Sequence, residues 1–332
     1  MEHTKTESKL KSAKRIIIVS LIVVLLLTAG FLVGNYFYNF AISSKDNPFE
    51  TGELSLPEGT ELMPGSSFLA ADAIEENYLS ASEDGLKLYS RSKTNPDSDV
   101  WVILAHGYSG DGLTMGSYAE KFYEMGLSIL VPDMRGHGKS EGSYRGMGWH
   151  DSLDIIDWTY YINDSYPDSE IVLFGVSMGA ATVMMSSGEA LPGNVKAIVE
   201  DCGYSSIYEE FKYQLKELYK LPSFPVLNLA GVVTQLRAGY NFMNEGDSVS
   251  QVAKSVTPIL FIHGAKDDFV PASMLDKVYE ATGAEREKLI VEGAGHAMSA
   301  DHSPELYWQT VRQFLNKHLG FQLLEDPEAE AA

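Results

Sequence analysis

The sequence predicts an α/β protein with a mostly parallel sheet covered by helices on both faces, preceded by one transmembrane helix. Short apolar runs alternate with helical stretches over most of the chain. Continuously apolar, β-branched runs are typical of strands buried on both faces, and their alternation with helices indicates a parallel sheet. One much longer apolar stretch lies near the N-terminus and has the length of a membrane span.

The first strands are expected as a hairpin over residues 74–79 and 86–91, which flank a turn at Gly85. Six further strands are predicted at WVILAHG (101–107), SILVPD (128–133), EIVLFGVS (170–177), VKAIVEDC (195–202), TPILFIHG (257–264) and EKLIVEG (287–293). Helical stretches separate these runs, for example at residues 149–163 and 304–319. Together they predict a doubly covered sheet.

The N-terminal segment 16–34, IIIVSLIVVLLLTAGFLVG, is predicted to be a transmembrane anchor. A helix of this length extends over about 28 Å, close to the roughly 30 Å hydrocarbon core of a bilayer. Five cations lie within residues 1–15, whereas only Lys45 lies within the 20 residues after the segment. The positive-inside rule therefore predicts a cytoplasmic tail at 1–15 and places the rest of the chain outside the cell membrane. A cleaved signal peptide is the alternative, although its apolar region is usually shorter.

The remaining chain divides into a linker, a domain and a tail. Residues 41–70 are polar, contain prolines and lack clear periodicity, so we interpret 35–70 as a linker. The alternating pattern fills residues 71–320, and the acidic residues 321–332 are expected to be a frayed tail.

One interval, 204–256, interrupts the alternation of strands and helices. Ile207, Phe211, Leu215, Leu218 and Tyr219 share one helical face there, and a second helix is predicted at 226–242. Insertions after strands of an open α/β sheet lie over the ligand crevice, so we expect this interval to form a helical cap. A peripheral decoration of the domain is the alternative.

The composition excludes several function classes. The formal charge is −21, with 46 acidic against 25 basic residues, which disfavours a nucleic-acid partner. Cys202 is the single cysteine, so neither an intramolecular disulfide nor a cysteine-based metal centre can form. We expect Cys202 to be a small buried residue at a strand end.

The pattern G-x-S-x-G occurs twice, at 175–179 and at 138–142. Ser177 follows a clean strand and precedes a helix start rich in small residues, which is the strand–turn–helix setting of a nucleophile elbow. Ser140 lies in a glycine-rich loop with no strand leading into it, so we regard that second match as coincidental.

A serine hydroxyl needs a base within hydrogen-bond reach, and that base needs an orienting acid. Behind an elbow of this kind the chain order is serine, acid, histidine. Among the histidines that follow, His296 lies in a glycine-flanked loop after the last strand and is the predicted base, ahead of His302 and His318. The residues alone leave three candidates for the acid, namely Asp201, Asp267 and Asp268. His106 and His263 each end a strand in a His-Gly pair and are expected to shape turns through side-chain hydrogen bonds.

Taken together, these motifs resemble those of the α/β-hydrolase superfamily over about residues 74–319. The matching elements are His106-Gly107-Tyr108, Asp133-Met-Arg135-Gly-His-Gly-Lys-Ser140, the elbow at Ser177, His263-Gly264 with Asp267 and Val270-Pro271, and Gly295-His296. The resemblance implies that Asp267 is the acid and that the backbone N–H groups of Tyr108 and Met178 form an oxyanion hole. It also implies structural roles for Asp133 and Arg135. Residues 1–70 lie outside it.

Within the superfamily, the chain resembles bacterial esterases, lysophospholipase-like proteins and serine-aminopeptidase-like proteins. The expected function is that of a carboxylesterase cleaving small or lipid-like acyl esters through an acyl-enzyme on Ser177, without metal or organic cofactor. The expected partners are the ester substrate and, through the N-terminal helix, the membrane. A serine-aminopeptidase-like peptidase that holds the α-amine of a short peptide with Glu209 and Glu210 is one alternative. A non-catalytic surface-binding protein is another, although it would have no need of a complete triad.

Overall fold

The computed structural model describes residues 2–45, 65–71 and 73–324, with side chains from residue 10 onward. Most of the predicted linker 35–70 and of the acidic tail 321–332 lies outside the described residues. Within the described part, the strands are β1 (Glu75–Ser80), β2 (Lys87–Lys93), β3 (Val100–Ala105), β4 (Ser128–Asp133), β5 (Glu170–Val176), β6 (Val195–Asp201), β7 (Ile259–Gly264) and β8 (Arg286–Val291).

These strands form one eight-stranded sheet in the order β1-β2-β4-β3-β5-β6-β7-β8. Only the pairs β1/β2 and β2/β4 are antiparallel, and all other neighbouring strands are parallel. Every predicted strand lies in this sheet with each end within two residues of its predicted position. The predicted fold class is confirmed.

The helices are α1 (Glu2–Ala41), α2 (Ser66–Leu69), α3 (Gly116–Glu124), α4 (Trp149–Ser165), α5 (Met178–Ser186), α6 (Ile207–Tyr219), α7 (Ser223–Ala238), α8 (Ser248–Val252), α9 (Ser273–Ala281), α10 (Ser299–His302) and α11 (Pro304–His318). They cover both faces of the sheet, as strand β3 illustrates. Trp101, Ile103 and Ala105 pack in one core together with α4, α5 and α9, and the alternate residues of β3 pack in the other with α3 and α11.

Helix α1 extends beyond the predicted anchor 16–34 at both ends. Its central part is exposed, whereas Tyr38 and, just after the helix, Ile42 are 2% and 1% exposed. Burying side chains of this size contributes about 1.5–3 kcal/mol each, so the helix continues through residues that the sequence assigns to the linker. Among the helices described, α1 alone is long and apolar enough to cross a membrane.

The interval 204–256 contains α6, α7 and α8. The N-cap Ser206 accepts a hydrogen bond from the backbone N–H of Glu209 at the start of α6. In α7, Phe224 has non-helical φ and ψ, and the regular helix begins at Pro225, which suits the first turn. Gly239, with φ of 81°, ends α7 before the predicted end at residue 242.

Candidate active site

Ser177 lies at the sharp turn between β5 and α5, with φ of 58° and ψ of −116°. Positive φ is unfavourable for a residue with a Cβ, and such strain is commonly held at functional sites. The two flanking glycines make the turn possible. A Cβ on Gly179 would lie 2.0 Å from the carbonyl oxygen of Ala105, and one on Gly175 would lie 2.2 Å from the carbonyl oxygen of Gly179.

The loops after β7 and β8 bring Asp267 and His296 to Ser177. His296 Nε2 lies 2.8 Å from Ser177 Oγ, and His296 Nδ1 lies 2.8 Å from Asp267 Oδ2. A carboxylate accepts a hydrogen bond from Nδ1–H, which leaves Nε2 as the acceptor for the serine hydroxyl. The three residues predicted from the sequence are therefore joined in one hydrogen-bonded chain.

Asp267 is held as a carboxylate. Burial raises its pKa, but hydrogen bonds from His263 and His296 outweigh burial and bring the pKa down to about 2. The backbone N–H groups of Phe269 and Val270 donate to its second oxygen at 3.0 and 2.8 Å. Asp267 is consequently ionised at neutral pH and can stabilise a charged His296 imidazolium.

His263 has a contact that sequence reasoning missed. Its Nε2 donates to the carbonyl of Val270 at 2.8 Å, as expected of a residue that shapes a turn, but also lies 3.2 Å from Asp267 Oδ2. It therefore supports the orientation of Asp267. The spacing of four residues between a strand-end histidine and the acid is the sequence signal that could have indicated this contact.

The side chains of the other two candidate acids, Asp201 and Asp268, are not hydrogen-bonded to His296 in the described structure. Asp201 is fully buried, burial raises its pKa to about 6, and its backbone oxygen accepts the N–H of Ser177 at 2.9 Å. Its side chain makes no described hydrogen bond to His296. Asp268 has an exposed side chain, and its carbonyl accepts the hydroxyl of Tyr213. Of the three carboxylates, only that of Asp267 is hydrogen-bonded to His296.

The loop after β3 presents the backbone N–H of Tyr108. His106 accepts the Met134 N–H at Nε2 (2.9 Å), so its Nδ1–H donates to the carbonyl of Gly107 (2.7 Å). The C=O of Gly107 and the N–H of Tyr108 belong to the same trans peptide and point in opposite directions. Fixing this carbonyl therefore fixes the direction of the Tyr108 N–H. His106 thus shapes a turn, as predicted.

The loop after β4 is a structural network. Asp133 binds Arg91 (3.0 Å) and the N–H of Gly112 (2.9 Å), and Arg135 forms a two-pronged ion pair with Asp154. The hydroxyl of Ser140 donates to the carbonyl of Asp133 and accepts the N–H of Tyr89. These bonds give Ser140 a structural role.

Cys202 lies at the end of β6, buried, with its sulfur near Asp267 and His296. The ligand atoms of these three residues lie within 4.8 Å of one another. Burial raises the pKa of the thiol well above its ordinary value, which favours the neutral form, whereas metal binding requires a thiolate. The carboxylate and the imidazole are moreover already bonded to each other, so this cluster suits proton transfer better than metal binding.

Two cavities meet at Ser177. The first, which we call the apolar cavity, has a volume of about 110 Å³ and is lined by Tyr108, Met147, Ser177, Met178, Tyr204, Glu210, Phe211, Gln214, Leu218, Phe269 and Val270, and from α1 by Phe40 and Ala41. The second, which we call the mixed cavity, has a volume of about 540 Å³ and is lined by polar residues (Ser109, Thr114, Ser117, Ser177, His296 and Asp301) and by apolar ones, among them Met115, Tyr118, Val176 and Phe269. Of these two cavities, His296 lines only the mixed cavity.

Comparison with known proteins identifies the fold. A family model described as the α/β hydrolase fold matches residues 100–226. The chain is 29% identical to the uncharacterized protein YqkD of Bacillus subtilis over 66% of this chain and 72% of that protein. It is 21% identical to a thermostable monoacylglycerol lipase of Bacillus sp. H-257 over 67% and 92% of the two chains.

Among solved structures, the esterase Pf2001 of Pyrococcus furiosus superposes with a TM-score of 0.62 and 24% identity, over 76% of this chain and 96% of that one. This likeness concerns the fold. Together with the family model, the sequence relatives and the eight-stranded sheet, it leads to one conclusion. The chain has the α/β-hydrolase fold.

Proposed function

We propose that this protein is a serine hydrolase that cleaves carboxylic esters with an apolar acyl chain through an acyl-enzyme on Ser177. The observation that carries the proposal is the continuous hydrogen-bonded chain from Asp267 through His296 to Ser177, with 2.8 Å at each link. A base at this distance is within reach of the hydroxyl proton.

The reaction follows from this geometry. His296 Nε2 takes the proton as Ser177 Oγ attacks the ester carbonyl, and the ionised Asp267 stabilises the imidazolium that forms. The N–H groups of Tyr108 and Met178 are the proposed donors to the oxyanion, and Met178 is the first residue of α5, where the helix dipole favours negative charge. Loss of one such donor in another serine hydrolase, of unrelated fold, costs about 2.7–4 kcal/mol. Water then releases the acid by the same steps.

The two cavities support an assignment of the two halves of the substrate. The leaving alcohol must receive its proton from His296, so it belongs in the mixed cavity, which His296 lines. The acyl chain then occupies the apolar cavity on the side of Tyr108 and Met178. The name of the monoacylglycerol lipase relative agrees with an apolar acyl group joined to a polyhydroxyl alcohol.

The peptidase alternative has weaker support, because Glu209 and Glu210 do not act as a pair. Glu209 contacts Lys212 and Lys277 at 3.2 and 3.5 Å, away from the cavity. Glu210 faces the apolar cavity alone, and burial raises its pKa to about 8, which favours the neutral form at neutral pH. A neutral carboxyl is a poor partner for an α-ammonium group.

The test is activity-based labelling with a fluorophosphonate probe together with hydrolysis of p-nitrophenyl esters. We expect the wild type to be labelled and Ser177→Ala to lose labelling and at least about a thousandfold of its hydrolysis rate. Ser140→Ala is the control and should keep both. An aminoacyl p-nitroanilide assayed in parallel would reveal the peptidase. Labelling that persists in Ser177→Ala would contradict the proposed nucleophile.

The proposal includes the arrangement of the chain. Helix α1 anchors it in the cell membrane, the helices of 204–256 form a cap over Ser177, and the basic residues before the span place the domain outside. Protease added to protoplasts should digest the domain. Protection until the protoplasts are lysed would contradict this orientation.

A further inference from the structure

We propose that α1 is a wall of the substrate site, and that a single-chain acyl lipid reaches Ser177 from the bilayer through an apolar passage between α1 and α6. This inference rests on the proposed ester hydrolysis at Ser177 and specifies where its substrate resides. It gives α1 a role in substrate binding beyond that of an anchor.

The passage consists of two adjoining cavities. Phe40 and Ala41 of α1 line the apolar cavity at Ser177. A further cavity, of about 60 Å³, continues from the apolar cavity between α1 and the cap. Its lining includes Phe37, Ile42, Leu215, Tyr219 and Leu227. The residues common to both cavities are Phe40, Ala41, Phe211, Gln214 and Leu218. Almost all of the lining is apolar, so the passage suits a hydrocarbon chain.

Helix α1 is packed firmly against the cap on the side of α7. A Cβ on Gly34 would lie 2.5 Å from the carbonyl oxygen of Leu229, so the two backbones are in close contact where the helices cross. Arg237 of α7 donates to the side-chain oxygens of Asn35 and Asn39, at 2.6 Å each. Two contacts with α7 therefore hold the α1 side of the passage in place.

The end of α1 is also bonded to the proposed oxyanion loop. The Tyr108 hydroxyl donates to the carbonyl of Ala41 at 3.0 Å, and the N–H of Arg145 donates to the carbonyl of Ile42 at 2.8 Å. The same tyrosine supplies a backbone N–H proposed for the oxyanion hole. The wall of the passage is thus joined directly to the reacting centre.

The outer end of the passage lies at the level of the membrane surface. The apolar span ends at Gly34, and the polar residues Asn35, Tyr36 and Asn39 follow it. The hydroxyls of Tyr36 and Tyr219 are 3.3 Å apart at this level, and tyrosine is enriched at membrane interfaces. A lipid in the outer leaflet therefore lies beside the opening.

Exposed apolar side chains lie on the two cap helices that pack beside α1 and on the loop between them. Leu218 is 61% exposed, Phe224 is 73% exposed and Leu236 is 71% exposed, and Leu221 and Val232 are exposed as well. Apolar surface of this kind indicates a binding face for protein or lipid. Because a membrane helix crosses α7 beside it, we assign this face to the lipid.

The chemistry of the two sides of Ser177 specifies an ester with one chain. A narrow apolar passage accepts one acyl chain, and the opposite side combines the hydroxyls of Ser109, Thr114 and Ser117 and the carboxylate of Asp301 with apolar side chains. Its polar groups can bind the free hydroxyls of an alcohol or headgroup. The structure therefore favours a monoacyl ester held in the membrane.

The test uses the full chain reconstituted in phosphatidylcholine vesicles. Ala41→Phe and Leu218→Trp narrow the passage from α1 and from α6. Their matched controls, Leu32→Trp and Leu306→Trp, add bulk to exposed positions of α1 and α11 that line neither cavity. The substrates are p-nitrophenyl acetate in solution and monopalmitoyl glycerol in the bilayer, and fluorophosphonate labelling reports an intact triad.

We expect the ratio of kcat/KM for the palmitoyl ester to kcat/KM for acetate to fall roughly tenfold or more in both narrowing variants, the scale of a few methylene contacts, while both variants are still labelled by the fluorophosphonate. The controls should match wild type for both substrates. A palmitoyl-to-acetate ratio that is unchanged in Leu218→Trp, the variant least able to disturb folding because its side chain is exposed, would overturn the passage.

Entry from the membrane has its own measurement. Monopalmitoyl glycerol in the same vesicles as the protein should be hydrolysed at least about tenfold faster than an equal amount supplied in separate vesicles, because entry is from the shared bilayer. Equal initial rates would overturn entry from the membrane. If the wild type is neither labelled by the fluorophosphonate nor able to hydrolyse p-nitrophenyl acetate, the proposed function itself fails. If the wild type hydrolyses acetate but the narrowing variants leave the palmitoyl-to-acetate ratio unchanged, only the passage fails.

Discussion

Replacing Asp267 by asparagine should disable the site while preserving the fold. In the wild type Asp267 Oδ2 accepts the Nδ1–H of His296 at 2.8 Å, which leaves His296 Nε2 free to accept the proton of Ser177. An asparagine amide can turn an N–H₂ group toward Nδ1. It would then favour the tautomer with the proton on Nε2, in which His296 cannot act as the base.

The expected loss in turnover is large. In a related triad the equivalent change slows turnover roughly ten-thousandfold, and we expect at least about a hundredfold here. Folding should survive, because the amide oxygen of asparagine can still accept the N–H groups of Phe269 and Val270. The pKa of Asp267 is lowered to about 2 from an ordinary value of 3.8, so its contribution to stability is present above pH 3.8 and is lost as the pH falls toward 2.

The assay is kcat for a p-nitrophenyl ester, measured on Asp267→Asn, Asp268→Asn and Asp201→Asn with circular dichroism as the folding control. Asp268→Asn is the matched control, since its side chain is exposed next to Asp267. It should stay close to wild type. If Asp201→Asn is folded and more impaired than Asp267→Asn, the assignment of the acid is wrong.

Two further predictions concern stability. Burial raises the pKa of Glu210 to about 8, so the folded state keeps the proton and the protein loses stability as the pH rises from the ordinary pKa of 4.5 through 8. The Tm of Glu210→Gln relative to wild type should therefore increase between pH 6 and pH 9. A difference in Tm that is independent of pH would contradict this. Gly34→Ala would place a Cβ 2.5 Å from Leu229 O and should lower the free energy of unfolding by about 1–3 kcal/mol. Gly193→Ala is the control, because no atom lies within 4 Å of the added Cβ. Equal Tm values for the two variants would refute the close packing of α1 on α7.

Much of the fold could be predicted from the sequence because its signals are local. A parallel strand buried on both faces has to be apolar at nearly every position, as Val100–Ala105 is. The elbow requires Gly175 and Gly179 because their neighbours leave no room for a Cβ. Such constraints can be read from a few adjacent residues, and so the positions of Ser177 and His296 were predictable.

The relation of α1 to the site could not be predicted in the same way. Apolar residues that contact lipid and apolar residues that contact protein have the same composition, so Phe37 and Phe40 beyond the span appeared to belong to a linker. One signal was available: Gly30 and Gly34 have the G-x-x-x-G spacing with which membrane helices approach each other closely. In this chain the partner of that surface is α7, whose Leu229 contacts both glycines.

Helix α6 shows a second limit of sequence patterns. Ile207 and Leu215 are buried as their helical spacing predicts, but Leu218, assigned to the same face, is 61% exposed. Periodicity identifies the apolar side of a helix without specifying what covers it. For most of α6 the cover is protein, and at Leu218 we infer that it is lipid.

Tyr108 connects these observations. Its backbone N–H belongs to the peptide that His106 orients through the carbonyl of Gly107, and its hydroxyl bonds the carbonyl of Ala41 at the end of α1. A displacement of α1 relative to the domain would therefore act on the apolar cavity and on the proposed oxyanion hole together. Since catalysis depends on donors held in advance at the position of the developing charge, the seating of the membrane helix and the rate at Ser177 should change together.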